Sequence, residues 1–325
     1  MPLRRILASV VALGLLTAAC GSGNEAASEG SDSPTPAAQQ LQAFMASTDL
    51  YTGTPQRVSL GLVFGDGNLV SFGSADFAFS YVGTADEPTD PQPGPAAVGV
   101  YLPTPGTPEG SGRPAVTLPS EGRGVYRAED VTFDRAGFWQ VQVTVDVEEL
   151  GTRRAHTTFP VGEEAALPAP GQPALPTENL TLDSEGVPEA AIDSRAVDGG
   201  KVPDPDLHRW TIARALEEGR PVLVVFSTPV FCVSRFCGPV TELVQGLAER
   251  YADRAVFVHI EIWHDFENQE INQAAADWLF RQGNLTEPWL YLIGADGVIV
   301  DRWSTLWRED EVAAALEALP PMEGT

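Results

Sequence analysis

The chain has 325 residues, with 45 Asp and Glu against 20 Lys and Arg, a net charge of −25, and three cysteines. That length suits two domains better than one, and the acidity argues against nucleic acid, which needs clustered Lys and Arg on its phosphates. No Walker loop, GxGxxG, HExxH or paired CxxC occurs, and the four histidines are His156, His208, His259 and His264.

In chain order, Arg4 and Arg5 precede an apolar run from Ile6 to Leu16. Eleven residues make a signal-peptide core, whereas a membrane span needs about 20. Leu16-Thr17-Ala18-Ala19-Cys20 resembles the bacterial lipobox, whose cysteine is acylated and becomes the mature N-terminus; Thr17 stands where that pattern favours an aliphatic residue. The resemblance implies a signal peptide over 1–19, lipidation at Cys20 and a membrane-anchored position on the extracytoplasmic face. The Gly-, Ser- and Pro-rich stretch that follows has little to bury, so 20–45 is expected to be a flexible tether. Several acyl chains, at about 0.8 kcal/mol per buried CH₂, anchor a protein where one does not. Outside the cytoplasm, disulfides form and persist.

Residues 46–162 read as all-β. Apolar alternation runs through Val58–Phe64, Phe77–Val82, Val98–Leu102, Gly124–Val131, Phe138–Val147 and His156–Val161, separated by Gly, Pro and Asp clusters. That pattern predicts a β-sandwich. The segment from Tyr126 through Phe133-Asp134-Arg135-Ala136-Gly137-Phe138-Trp139 resembles the late strands of immunoglobulin-like envelope modules. The proline-rich stretches 87–95 and 103–114 are expected to be loops. Residues 163–204, with Leu167-Pro-Ala-Pro-Gly-Gln-Pro-Ala-Leu-Pro, read as a semi-rigid linker.

From 205 to 320 the periodicity changes. His208–Glu218 has helical spacing and stops at Gly219. Pro221–Phe226 is a short continuous apolar run, as in a strand covered on both faces. Val240, Leu243, Val244, Leu247 and Tyr251 form one helix stripe. A strand over Ala255–Trp263 follows, then a helix marked by Ile271, Ala275, Trp278 and Leu279. Two strands, Trp289–Ile293 and Val298–Trp303, flank a Gly-Ala-Asp-Gly turn, and a last helix runs over Glu309–Leu319.

With Cys20 assigned to the lipobox, Cys232 and Cys237 are the remaining pair. They lie just past the apolar strand and run into a helix near Pro239, where open α/β sheets place their sites. A thiolate at a helix N-terminus is favoured by unpaired N–H groups and the dipole, which points to Cys237 as the more ionised thiol. Cys237-Gly238-Pro239, with Thr286-Glu287-Pro288 before the strand from Trp289, resembles the thioredoxin superfamily. Val240 stands where that family has its second cysteine, so the partner is Cys232. The resemblance implies a thioredoxin-like α/β fold over 205–320 and a Cys232–Cys237 disulfide. It also implies a cis Pro288 beside the cysteines and exchange with protein thiols and disulfides of the envelope, with no cofactor or metal. The strand before the cysteines, Val224-Val225-Phe226, lacks the family's buried acid, which leaves Glu261 and His264 as candidates for proton transfer.

Two other readings stand beside it. One is a copper chaperone of the Sco type, with thiolates selecting Cu(I) and His259 or His264 as third ligand. It is disfavoured because neither histidine matches that family's later loop, and the β region offers only Met45 and His156. The other is a binding lipoprotein with a structural disulfide. For the anchor, wild-type protein made in a bacterium should partition into detergent. Cys20→Ser should be released or remain uncleaved; a variant processed and retained like wild type excludes Cys20 as the anchor.

Overall fold

A computed structural model describes residues 40–322 apart from Glu109 and Ser111. The 1–19 segment, Cys20 and most of the expected tether lie outside the described residues. Strands β1 (Leu41–Met45), β2 (Gln56–Phe64), β3 (Leu69–Ser71), β4 (Ser74–Gly83), β5 (Pro88–Pro103), β6 (Ala115–Thr117), β7 (Gly124–Val131), β8 (Gly137–Val147) and β9 (Gly151–Val161) build a large sheet. Its order is β6-β3-β2-β7-β5-β4-β8-β9, with β1 on β2, and the pairings are antiparallel. Period-two alternation drives it: along β8, Trp139, Val141, Val143, Val145 and Val147 are buried and the residues between them face outward. Phe79, Phe133, Phe159 and Trp139 meet edge to face at the centre of the core. Gly137 has φ 133°, and a Cβ there would sit 2.7 Å from the Gly83 carbonyl oxygen, so the turn into β8 requires glycine.

Three expectations change. The tether boundary at 45 falls inside a strand, because Leu41 and Ala43 alternate into the core against β2. The loop expected at 87–95 is the first half of β5. It hydrogen-bonds only β4 there, since β7 joins β5 from Val100 onward. On such an edge a proline's missing N–H leaves no ladder bond unmade. The linker over 163–204 is not a spacer. Gly171 and Ala174 donate to the carbonyls of Ile299 and Gly297, Ile299 donates to Gln172, and Leu167 and Ala174 are buried in the C-terminal core. Proline removes donors but leaves carbonyls and apolar surface, both of which this segment uses.

The C-terminal part contains α1 (Glu189–Ile192), α2 (Ile212–Glu217), β10 (Val222–Ser227), α3 (Cys237–Tyr251), β11 (Val256–Glu261), β12 (Trp263–Asp265), β13 (Glu270–Ile271), α4 (Gln273–Leu279), β14 (Trp289–Ile293), β15 (Ile299–Ser304) and α5 (Glu309–Glu317). Strands β11-β10-β14-β15 form a four-stranded sheet, parallel between β10 and β11 and antiparallel elsewhere. β10 is buried throughout. Val222, Val224 and Phe226 pack with α2 and α4, and Leu223 and Val225 with α3 and α5, which explains the unbroken apolar run. Taken whole, the described chain is mostly β, with one large antiparallel sheet and few helices.

The described residues belong to one compact unit. Buried ion pairs hold the large sheet to the four-stranded one. Arg127 of β7 gives both terminal nitrogens to the Glu311 carboxylate at 2.8 Å, and the two side chains are 3% and 12% exposed. Arg302 reaches Asp49 at 2.7 Å with both almost fully buried, and Arg57 clamps Asp301. Leu102 and Val125 join the same apolar cluster as Trp303, Leu306 and Trp307. Glu311 also accepts from the Arg308 N–H at the start of α5, so its carboxylate serves two elements. Glu311→Ala leaves Arg127 buried with only the half-exposed Glu129 as partner and should cost about 2–3 kcal/mol of stability in urea unfolding. A loss below about 1 kcal/mol would mean that Arg127 finds water.

Candidate functional site

β10 ends at Ser227 and α3 starts at Cys237, so the two cysteines bracket the connection between them. The loop is folded back rather than extended. Cys232 N–H donates to the Thr228 carbonyl, Arg235 N–H donates to the Cys232 carbonyl, and Arg235 takes φ +59°. This turn brings the cysteine Cα atoms to 6.0 Å, within the range a disulfide spans, and Cys232 and Cys237 are bonded. Cys237 is the first residue of α3 and is completely buried, whereas Cys232 is 8% exposed. Beside them Val233 is 94% exposed, and Phe231 stacks on Phe266 at 4.0 Å.

The helix N-terminus acts on the sulfur that the sequence did not single out. The Cys237 N–H points at Sγ of Cys232, 3.4 Å away, and the Ser234 hydroxyl lies 3.1 Å from the same sulfur. In the reduced pair those two donors favour the Cys232 thiolate. The accessible sulfur is therefore also the one the helix end stabilises. A first-turn N–H reaches back over the preceding loop, so the sulfur it faces belongs to Cys232.

Pro288 is buried, and the Glu287–Pro288 bond is cis, the isomer the resemblance implies. β14 pairs with β10 so that Trp289 lies opposite Phe226, which carries the residues before Trp289 alongside the chain leaving β10. Glu287 thereby approaches the disulfide: a carboxylate oxygen and both sulfurs lie within 4.8 Å of one another. Burial pushes its carboxyl up from the ordinary value, and the nearby negative charge of Glu261 adds to the shift. The sequence pattern marked Glu287 only as part of Thr286-Glu287-Pro288; the signal for its side chain was an acid directly before the proline.

The two residues expected for proton transfer sit elsewhere. Glu261, at the end of β11, is buried; one oxygen accepts from Ser194 N–H at 2.8 Å and the other from Ile262 N–H at 2.9 Å. Burial raises its pKa. His264 is half-buried on β12. Neither belongs to the group formed by the sulfurs and Glu287 among the described residues. His259, a candidate copper ligand, groups with Asp193 and His208 rather than with the sulfurs, its Nε2 faces the Ser227 carbonyl, and His156 is exposed on β9.

A groove of about 360 Å³ runs beside the site, lined by Val233, Phe236, Glu287, Pro288 and Trp289 and, from the segment after β1, Ala46 and Thr48. Thr48 and Thr286 share a 3.1 Å hydrogen bond across it. The larger sheet's N-terminal strand thus leads directly into one wall.

No protein-family model matches the chain, and no curated protein matches it in sequence.

The raised Glu287 carboxyl has a stability consequence whose sign is fixed. Below its ordinary value of 4.5 the group is neutral in both folded and unfolded chains. Above it the unfolded chain ionises first, so the folded state loses stability as pH rises. Glu287→Gln should therefore melt higher than wild type at neutral pH, with the gain vanishing below about 4.5, as thermal unfolding across a pH series will read. A gain independent of pH would exclude the carboxyl as its cause.

Proposed function

We propose that this chain is a lipid-anchored thiol–disulfide oxidoreductase of the cell envelope. In this reading 205–320 is a thioredoxin-like unit and 46–162 an immunoglobulin-like β-sandwich attached to it. The observation that carries the reading is the bonded Cys232–Cys237 pair at the strand-to-helix junction, with Cys232 the less buried of the two and cis Pro288 and Glu287 beside it. Support for the fold comes from the sheet order β11-β10-β14-β15 with two helices on each face. The expected extracytoplasmic position suits a bonded pair.

The exchange needs no cofactor, because the sulfurs carry the electrons. A substrate thiolate attacks Sγ of Cys232, the more accessible sulfur. A substrate–Cys232 bond forms as the Cys232–Cys237 bond breaks, and the electron pair leaves on Cys237. The Glu287 carboxyl, when protonated, is placed to give its proton to that leaving sulfur. A second substrate thiolate then attacks the substrate sulfur of the mixed disulfide and releases Cys232 as a thiolate, held by the Cys237 N–H and the Ser234 hydroxyl. The substrate ends oxidised to a disulfide and the pair ends as two thiols once Cys232 takes up a proton. Run backwards, the same steps reduce a substrate disulfide and leave Glu287 protonated again. The groove beside Pro288 suits an extended, partly apolar protein segment.

Equilibration with a dithiol couple tests the reading. A reduction potential above about −300 mV is expected for a labile redox pair. A lower potential marks a resistant structural bond and returns the chain to the binding-protein reading. Cys232→Ser should abolish exchange with a thiol substrate, whereas Cys237→Ser should trap the mixed disulfide.

A further inference from the structure

Behind the cysteine loop, three side chains from three separate segments meet in the interior, and thiol exchange uses none of them. Asp193 follows α1, His208 closes a 3₁₀ turn over Pro205–His208, and His259 lies in the middle of β11. Asp193 and His208 are fully buried and His259 is 1% exposed. Asp193 Oδ2 lies 3.3 Å from His208 Nε2 and 3.3 Å from His259 Nδ1. The two imidazoles meet edge to face at 5.2 Å, and one donor atom from each of the three residues falls within 4.8 Å of the others.

The hydrogen bonding around this group leaves three ring nitrogens without a directed partner. His259 Nε2 sits 3.1 Å from the Ser227 carbonyl oxygen, which can only accept, so that nitrogen carries the proton. In a neutral ring, Nδ1 is then a bare lone pair facing a carboxylate oxygen. Neither His259 Nδ1 nor either ring nitrogen of His208 makes a directed hydrogen bond in the protein. Buried polar atoms this close without a shared proton are costly unless something positive lies between them. Two metal bonds of about 2.0–2.1 Å meeting at a tetrahedral angle put their donors about 3.3 Å apart, the spacing seen here.

We propose that Asp193, His208 and His259 form a zinc site, separate from the disulfide, that pins residues 189–208 to the four-stranded sheet. Two imidazoles and a carboxylate are a donor set zinc accepts, with a solvent molecule in the fourth position. The surroundings match what ligating groups receive from their neighbours. The Ser227 carbonyl fixes the His259 tautomer, and Arg195 orients Asp193 with hydrogen bonds of 3.0 Å to Oδ1 and 2.7 Å to Oδ2. Asp204, 2.8 Å from Arg195, offsets the guanidinium charge. The segment so pinned also backs the redox loop, since Ser194 accepts from the Val230 N–H at 3.2 Å and donates its own N–H to Glu261.

The test uses the full chain carrying Cys20→Ser, Cys232→Ser and Cys237→Ser, so that thiolates cannot hold the metal. After growth with zinc, elemental analysis should find about one zinc per chain, since structural sites bind as they fold. Replacing the zinc by Co²⁺ should give the strong visible absorption of a tetrahedral site without a thiolate charge-transfer band. His208→Gln or His259→Gln in that background should lower zinc content at least tenfold and speed proteolysis within 189–208. If either variant fails to fold, the cobalt spectrum of the cysteine-free chain decides by itself. A cysteine-free chain that is folded but holds no zinc and gives no tetrahedral cobalt spectrum overturns the proposal and leaves the cluster as an ion-pair network.

Discussion

The arrangement of the C-terminal half depends on the burial of β10 on both faces. Covered by α2 and α4 on one side and α3 and α5 on the other, β10 is apolar over Val222–Phe226, and its one polar residue, Ser227, ends the strand with its hydroxyl bonded to Thr241. The first residues free of that constraint come after Ser227, and the cysteine loop begins there. The antiparallel neighbour β14 is locked to β10 by the pair Phe226–Trp289, so the residues ahead of Trp289 emerge at the same end. Disulfide, cis proline and acid are therefore brought together by one register, although Pro288 comes 51 positions after Cys237 in the chain. A slip of one residue in β14 would turn its apolar side chains to the wrong faces and carry Glu287 away from the sulfurs.

The two halves of the chain are less separable than a proline-rich stretch suggests. Arg127 and Arg302 are nearly buried, and a guanidinium in that setting is tolerated only with a carboxylate in bidentate or close contact. Glu311 and Asp49 provide it, each from the opposite half. Such pairs add little net stability over apolar packing, but they penalise any other docking, because a shifted interface would bury charges unpaired. The fixed docking matters to the site. Ala46 and Thr48 become a wall of the groove only if β1 is held in place relative to Pro288.

Much of this was legible in the sequence where side-chain period and burial coincide. The strand runs at 58–64, 124–131 and 138–147 match β2, β7 and β8, and the α3 stripe matches Val240, Val244 and Leu247 in the core. Tertiary context decided the rest. β1 was too short to stand out from the polar stretch before it, and the prolines of β5 disguised a strand whose exposed edge tolerates them. The segment over 163–204 looked like a spacer because its burial depends on partners far away in the chain, as when Thr177 accepts from the Trp278 indole at 2.8 Å. The cysteines and Pro288 were readable from local pattern. The Glu287 carboxylate and the Asp193, His208 and His259 group were not, since each exists only through strand register or through contact between separate segments.

The position of the acid follows from the same burial that organises the sheet. An ionisable carboxyl within β10 would be enclosed on both faces, far from any water that could return its proton, and would cost several kcal/mol whenever ionised. At Glu287 the carboxyl is half-buried at the sheet's end, where desolvation still raises its pKa but solvent remains near. Glu261 lies deeper, and its oxygens are already taken by the N–H groups of Ser194 and Ile262, so it contributes charge to Glu287 rather than a mobile proton. With the acid at the residue before the proline, Val222–Phe226 stay apolar and the carboxyl lies within reach of both sulfurs. An apolar run over Val222–Phe226 and an acid beside the cysteines are therefore two consequences of one packing constraint.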